Sequence, residues 1–349
     1  MKEEGELRAA VLHGPGDLRL EEVEKPIIGG GEVLIKVKFC GICGTDPHIY
    51  TGEFPIPRVP IIPGHEFAGE VVEIGREVAT VREGAHVIAD INMGCGKCYF
   101  CRTNQKLLCP ELKQIGVHVN GAFAEYVKVP ESQIYSLPDA VKLEHASMIE
   151  PLACAISGVE KSEVKPGSSM VILGGGPMGL LLLQIAKLRG ASPVILSEVV
   201  DYRREKAKEL GADIVVNPKE DDLYKVVREV TDGRGADVAI EAIGNLTTYK
   251  QAFTVVRKGG CIVAFGAAPA DGTIDVSPFE IYSRELTIRA SYAGTYHTWP
   301  EAISLLLWDM VRLDPLITHK LPLESIHKGY EMIKEKKHKA LKILVSPEL

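Results

Sequence analysis

Four cysteines in the run Cys95-Gly-Lys-Cys98-Tyr-Phe-Cys101-Arg-Thr-Asn-Gln-Lys-Leu-Leu-Cys109 constrain this chain more than any other stretch. Three thiols recur at i, i+3 intervals, and the fourth follows eight residues later. That spacing lets one short loop carry four soft donors to a tetrahedral Zn²⁺, with metal–sulfur bonds of about 2.3 Å. Four thiolates fill the coordination sphere, so such a site holds structure and leaves no open position for chemistry. Disulfides are the competing reading. Three cysteines within seven residues cannot all pair locally without strain. The opening segment MKEEGELRAAVLHGPGDL also lacks the positive region and apolar run of an export signal. The eight cysteines are therefore expected to serve as thiols or metal ligands in a reducing, cytoplasmic setting.

The length, 349 residues, is more than one core needs and fits two domains. A formal net charge of −7 argues against a polyanion-binding surface, so no nucleic-acid partner is expected. No apolar stretch approaches the roughly 20 residues that span a bilayer, so no membrane partner is expected either. Up to about residue 150 the pattern is of short strands: Val33–Phe39, Gly69–Gly75, Ala85–Asp90 and Ala122–Val129. Beyond Pro166-Gly167 the rhythm changes. Apolar strands at Met170–Leu173, Val194–Ser197, Ile214–Val216, Val238–Ile240 and Cys261–Phe265 alternate with helical segments. Such alternation means βαβ units and a parallel sheet covered on both faces. A final strand is expected over Ala340–Val345.

The first of these apolar strands runs into Gly174-Gly-Gly176-Pro177-Met178-Gly179, a G-x-G-x-x-G turn opening a helix. Its glycines allow a tight turn, close approach of a pyrophosphate to the backbone, and close helix–strand packing. The second strand ends at Glu198, 19 residues past Gly179. A carboxylate there accepts from ribose hydroxyls and repels a 2′-phosphate, which favours NAD over NADP. Arg203 and Arg204 pull the other way, because a guanidinium can meet that phosphate.

A second donor set is dispersed. Cys43 lies in Cys40-Gly-Ile-Cys43-Gly-Thr45-Asp46-Pro-His48, and His65 and Glu66 follow in Gly64-His-Glu-Phe-Ala-Gly69. Thiolate, imidazole and carboxylate on separate loops suit a catalytic zinc with one open position. Glu150, just before the nucleotide-binding pattern, is a fourth candidate.

Together these motifs resemble those of the zinc-dependent medium-chain alcohol/polyol dehydrogenases, in the family's order and over nearly the whole chain. GHEFAGEVVEIG fits the family's G-H-E-x2-G-x5-G pattern, and CGICGTDPHIY is similar to its catalytic cysteine loop. The resemblance implies an α/β protein. A GroES-like, mostly-β catalytic domain would comprise 1–153 and 291–349, and a Rossmann NAD-binding domain 154–290, with the active site in the cleft between them. It implies two Zn²⁺ per chain. Cys43, His65, Glu66 and Glu150 would serve the catalytic ion, and Cys95, Cys98, Cys101 and Cys109 the structural one. Asp46 would orient the ligand histidine, while Thr45 and His48 would relay the alcohol proton. Gly174, Gly176, Pro177, Met178, Gly179, Glu198 and Arg203 would hold the coenzyme. A homotetramer, or a dimer, is implied as the assembly. Zinc would act as a Lewis acid on the alcohol oxygen, and the cofactor would take the hydride.

The tail segments Thr298–Ser304 and Pro315–Glu324 are similar to the sorbitol-dehydrogenase branch, as is Tyr50. That branch carries an arginine before its pocket tyrosine, whereas this chain has Ser291-Tyr292. The expected substrate is a secondary alcohol of a polyol, oxidised reversibly to the ketose. L-threonine and a vicinal diol of the butanediol type are the alternatives. L-threonine is favoured by the Glu198…Asp201-x-Arg203-Arg204 stretch and opposed by the tryptophan-free segment TGEFPIPRVP.

Overall fold

The computed structural model describes residues 5–54 and 56–349. Two compact units emerge, one running to Glu150 and including Thr295–Leu349, the other Pro151–Gly294.

The first unit is built on a seven-stranded sheet whose long central strand is Glu32–Gly41. Val33, Ile35 and Val37 face the core and alternate with Lys36 and Lys38, the two-residue period of a half-buried strand. Glu66–Ile74 pairs along one edge of this strand. The other edge takes Tyr126–Pro130 on its first half and the returning Lys342–Ser346 on its second. His86–Ala89, Ile134–Leu137 and Ile317–Pro322 complete the sheet. The expected strand at Gly69 starts three residues earlier, at Glu66. The one expected over Ala122–Val129 is confined to Tyr126–Pro130, because Ala124 bridges instead to Ala9 of the hairpin strand Glu6–Gly14.

The second unit is a six-stranded parallel sheet in the order Ile214–Val216, Val194–Ser197, Met170–Leu173, Ala236–Glu241, Val256–Ala264, Thr287–Ala290. Helices Pro177–Leu188, Asp201–Glu209, Leu223–Val230 and Leu246–Val255 connect the first five. Met170–Leu173 is buried along its whole length, which explains its unbroken apolar sequence. From this strand the chain first builds outward to Ile214, then crosses back to Ala236. The order thus reverses between Met170–Leu173 and Ala236–Glu241, where doubly wound sheets open a crevice beyond the carboxyl ends of their strands. Among the described residues no helix is long and apolar enough to cross a membrane.

Candidate active site and metal centres

Cys43 lies two residues beyond the end of Glu32–Gly41, and Glu66 opens the strand that pairs with it, opposite Gly41. This register brings Glu66 up against the cysteine loop. A Cβ on Gly41 would lie 2.2 Å from Glu66 Oε2, so only glycine leaves room for the carboxylate. His65 precedes the strand, and one ligand atom each from Cys43, His65 and Glu66 lies within 4.8 Å of the others.

Behind them Asp46, in the short helix Thr45–Thr51, accepts from the Cys43 amide at 2.7 Å and so fixes the cysteine loop. Its other oxygen, Oδ1, stands 3.6 Å from His65 Nδ1. Both atoms are buried and lack a hydrogen-bond partner. Burial pushes the Asp46 carboxyl up to about 6, although His65 opposes this. Burial alone would drive the His65 imidazole down. Asp46, Cys43 and Glu150 outweigh it and hold the ring well above its ordinary value. The pocket is therefore one that calls for positive charge. Sulfur, nitrogen and oxygen donors converging in an acidic, buried setting are the chemistry that suits a divalent zinc.

One member of this site was not anticipated from the sequence. Lys342, only 2% exposed, comes from the returning strand and donates to Glu66 Oε1 at 2.7 Å, to Oε2, and to the Ile42 carbonyl at 3.2 Å. Burial opposes its charge, but Glu66, Cys43 and Glu150 raise it. The signal was a single lysine inside the apolar run Ala340-Leu-Lys-Ile-Leu-Val, although nothing local names its partner. Glu150 is buried in the first turn of Ile149–Lys161. It stands outside the mutually close set, but its charge reaches both His65 and Lys342.

The remaining candidates are arranged less tightly. Thr45 Oγ1 is 3.6 Å from Cys43 Sγ. His48 is exposed, with Nδ1 2.5 Å from Glu53 Oε2. The Tyr50 hydroxyl donates to the Gly16 carbonyl at 3.0 Å, and its ring packs on His327 and Tyr330. Tyr292, 61% exposed, belongs to the second unit.

Elsewhere in the first unit the sulfurs of Cys95, Cys98, Cys101 and Cys109 lie within 4.8 Å of one another, and none is in a disulfide. Backbone amides point at them: Cys98 N at Cys95, Cys101 N at Cys98, and Cys95 N and Glu111 N at Cys109, all within 3.5 Å. The Lys97 and Cys98 amides pull the Cys95 thiol down to about 7. Lys106 anchors the loop from inside. It is 2% exposed, paired with Asp90, and its ammonium sits 4.0 Å from the centre of the Tyr296 ring.

In the second unit Gly174 takes a positive φ of 111°. A Cβ on Gly179 would meet Gly174 O at 1.9 Å, so the third glycine is a packing requirement. Gly176 caps helix Pro177–Leu188, whose Pro177 and Met178 form its first turn. Glu198 is buried, with Oε2 accepting from Gly175 N at 2.8 Å and Oε1 from Val200 N at 2.9 Å. Arg203 Nη1 stands 3.8 Å from Glu198 Oε2 and beside Gly176.

Residues 29–139 match the alcohol dehydrogenase GroES-like domain, and residues 177–308 match the zinc-binding dehydrogenase family. The chain belongs to the zinc-dependent medium-chain alcohol dehydrogenases. L-threonine 3-dehydrogenase of Pyrococcus horikoshii is 41% identical over 319 residues, 90% of each chain. D-arabitol-phosphate dehydrogenase of Enterococcus avium is 38% identical over 91% of each. A zinc-binding dehydrogenase structure from Sinorhizobium meliloti, described as bound to NADP, superposes with a TM-score of 0.92 at 36% identity. It covers 99% of this chain and 100% of its own. The medium-chain dehydrogenase fold thus joins a zinc-binding, mostly-β unit to a doubly wound one in this protein.

Proposed function

We propose that this dehydrogenase oxidises a secondary alcohol of a polyol, or of its phosphate, to the corresponding ketone with NAD as hydride acceptor. The observation that carries the reading is the convergence of Cys43, His65 and Glu66 in front of the buried Asp46. In this reading those three residues hold a catalytic zinc, and Glu150, whose charge is felt at both His65 and Lys342, is the carboxylate that would act on the ion or on what occupies its open position. Zinc supplies Lewis-acid polarisation of the alcohol oxygen, which eases loss of its proton at neutral pH. Asp46 faces His65 Nδ1 at 3.6 Å and its charge would favour a proton on that nitrogen, which would leave Nε2 to serve as the donor. Thr45, beside Cys43, would take the alcohol proton while handing its own to a ribose hydroxyl of the coenzyme, and the exposed His48 would pass a proton on to solvent. Lys342 holds both Glu66 oxygens and sets how far that carboxylate can lean toward the other donors. The four-cysteine loop is proposed to hold a second, structural zinc.

NAD supplies the hydride acceptor, and Glu198 beside the glycine turn favours it. The neighbouring Arg203 is the feature that would admit NADP. A second substrate reading, L-threonine, is favoured by the 41% identity to the Pyrococcus horikoshii enzyme. Purified enzyme with xylitol, D-arabitol, D-arabitol phosphate, sorbitol, 2,3-butanediol and L-threonine, each with NAD and NADP, separates the readings. Turnover of threonine alone sinks the polyol proposal, and zinc analysis should return two ions per chain.

A further inference from the structure

At the point where the sheet order reverses, Glu241 ends strand Ala236–Glu241 beside Leu173, the residue before the glycine turn. Its side chain is fully buried, and among the described residues no cation pairs with it. A carboxylate in such a place needs donors, and three neighbours supply them. Ile243 N donates to Oε1 at 3.0 Å, Gly244 N reaches both oxygens at 3.1 and 3.0 Å, and Thr248 Oγ1 lies 2.7 Å from Oε1, its one proton shared with the Asn245 carbonyl at 2.8 Å. These bonds are not needed to start helix Leu246–Val255. Asn245 already caps it by accepting from Thr247 N at 2.8 Å. What the carboxylate shapes is the loop in front of the helix.

That loop is also locked from its far side. A Cβ on Gly266 would lie 2.2 Å from Gly244 N and 2.6 Å from Glu241 Oε2. The Glu241 carbonyl takes the Phe265 and Gly266 amides, and Tyr249 donates its hydroxyl to the Gly266 carbonyl. Two loops beyond the carboxyl ends of adjacent strands are thus tied around one side chain. The product of this arrangement is the position of Ile243. It is 51% exposed, yet it stands over the glycine turn: a Cβ on Gly174 would lie 2.6 Å from Ile243 Cγ1. An exposed isoleucine at the mouth of such a crevice offers apolar surface to whatever binds there.

We infer that Glu241 is a positioning residue for coenzyme binding, fixing the 242–245 loop so that Ile243 forms an apolar contact for the dinucleotide. The inference rests on the reading of this crevice as the coenzyme site. Fluorescence titration of NADH and NADPH on the zinc-loaded enzyme tests it with Glu241→Gln, Ile243→Ala, the double variant and Thr248→Val. Glutamine keeps the size but turns a donor toward the amides. The expected result is a coenzyme Kd about tenfold weaker, with KM for coenzyme rising in step and kcat at saturation changing less than about threefold. Ile243→Ala should weaken binding by a similar factor, and the double variant should be no worse than the weaker single one, since both act through one contact. Should Glu241→Gln fail to fold, Thr248→Val decides, with a two- to threefold weakening expected because it removes one of several donors to the carboxylate and leaves the two backbone amides in place. A lower melting temperature with unchanged Kd, or additive effects in the double variant, overturns the inference and leaves the coenzyme reading standing. A wild-type enzyme that binds neither coenzyme overturns both.

Discussion

The two cysteine-containing clusters of the first unit are made in opposite ways. The quartet Cys95–Cys109 is local: one loop folds on itself, and its backbone amides reach the sulfurs of Cys95, Cys98 and Cys109. The set Cys43, His65 and Glu66 is dispersed, and its buried Lys342 arrives 276 residues after Glu66. Each cluster has one buried lysine, and the two lysines face different ways. Lys106 pairs with Asp90, outside its quartet, and so acts on the loop as a whole. Lys342 grips one of the donors themselves. A uniform, closed donor set asks only to be held together. A mixed, three-donor set has to keep charge in reserve, and it draws that charge from a distant strand.

The largest effect expected from this contrast is in Cys43→Ala. It should remove one zinc per chain and lower kcat/KM about 10³-fold, the scale of losing a principal electrostatic stabiliser. The melting temperature should stay close to wild type, because the quartet is untouched. Elemental analysis, kinetics and calorimetry on the same sample check all three. Loss of the fold would mean that the dispersed set is also a staple, and the contrast would fall. Next in size are the two lysines. Lys106→Met leaves Asp90 buried without a counter-charge and should cost about 3–5 kcal/mol with or without metal. Lys342→Met leaves Glu66 in the same state. Here zinc itself can supply the missing charge, so a loss of that order should show only after chelation. Denaturation with and without chelator separates the two. Equal losses in both variants under both conditions would show that Lys342 is an ordinary buried pair.

The same contrast explains what the sequence made legible. Strands Met170–Leu173 and Val194–Ser197 read directly, because burial on both faces leaves an unbroken apolar run. The quartet read directly because its geometry is a matter of spacing along one loop. Strand Glu66–Ile74 was placed three residues late, because a charged residue at its head looks like loop until its partner is known. That partner, Lys342, sat in a strand the sequence did locate, yet no local pattern links residues so far apart. Glu241 is silent in the sequence for a related reason: apart from the Thr248 hydroxyl its donors are backbone amides, which leave no mark there.

A smaller effect is expected behind His65. Asp46→Asn keeps the acceptor for the Cys43 amide but removes the charge that faces Nδ1. Metal affinity at the dispersed site should fall 10- to 100-fold, the range for orienting partners of ligand histidines. Competition with a chromophoric chelator measures it, with the zinc proposed for the quartet as the internal reference. An unchanged affinity would mean that the packing of the loop, not Asp46, holds the imidazole in place.

The smallest effect tests where the dispersed site ends. Tyr50 lies two residues past His48, which made it a candidate for lining the substrate pocket. Its hydroxyl is already donated to Gly16, and its ring is packed on His327 and Tyr330, both from helix Ile326–Lys334. A group so engaged joins the first hairpin to the returning tail, and its one proton is spent on Gly16, so that only its acceptor lone pairs are left for a substrate hydroxyl. Tyr50→Phe should therefore lower stability by about 1 kcal/mol, one neutral hydrogen bond, and leave KM for the alcohol unchanged. A rise in KM without loss of stability would show that the ring turns toward the substrate, and the dispersed site would then extend into the hairpin.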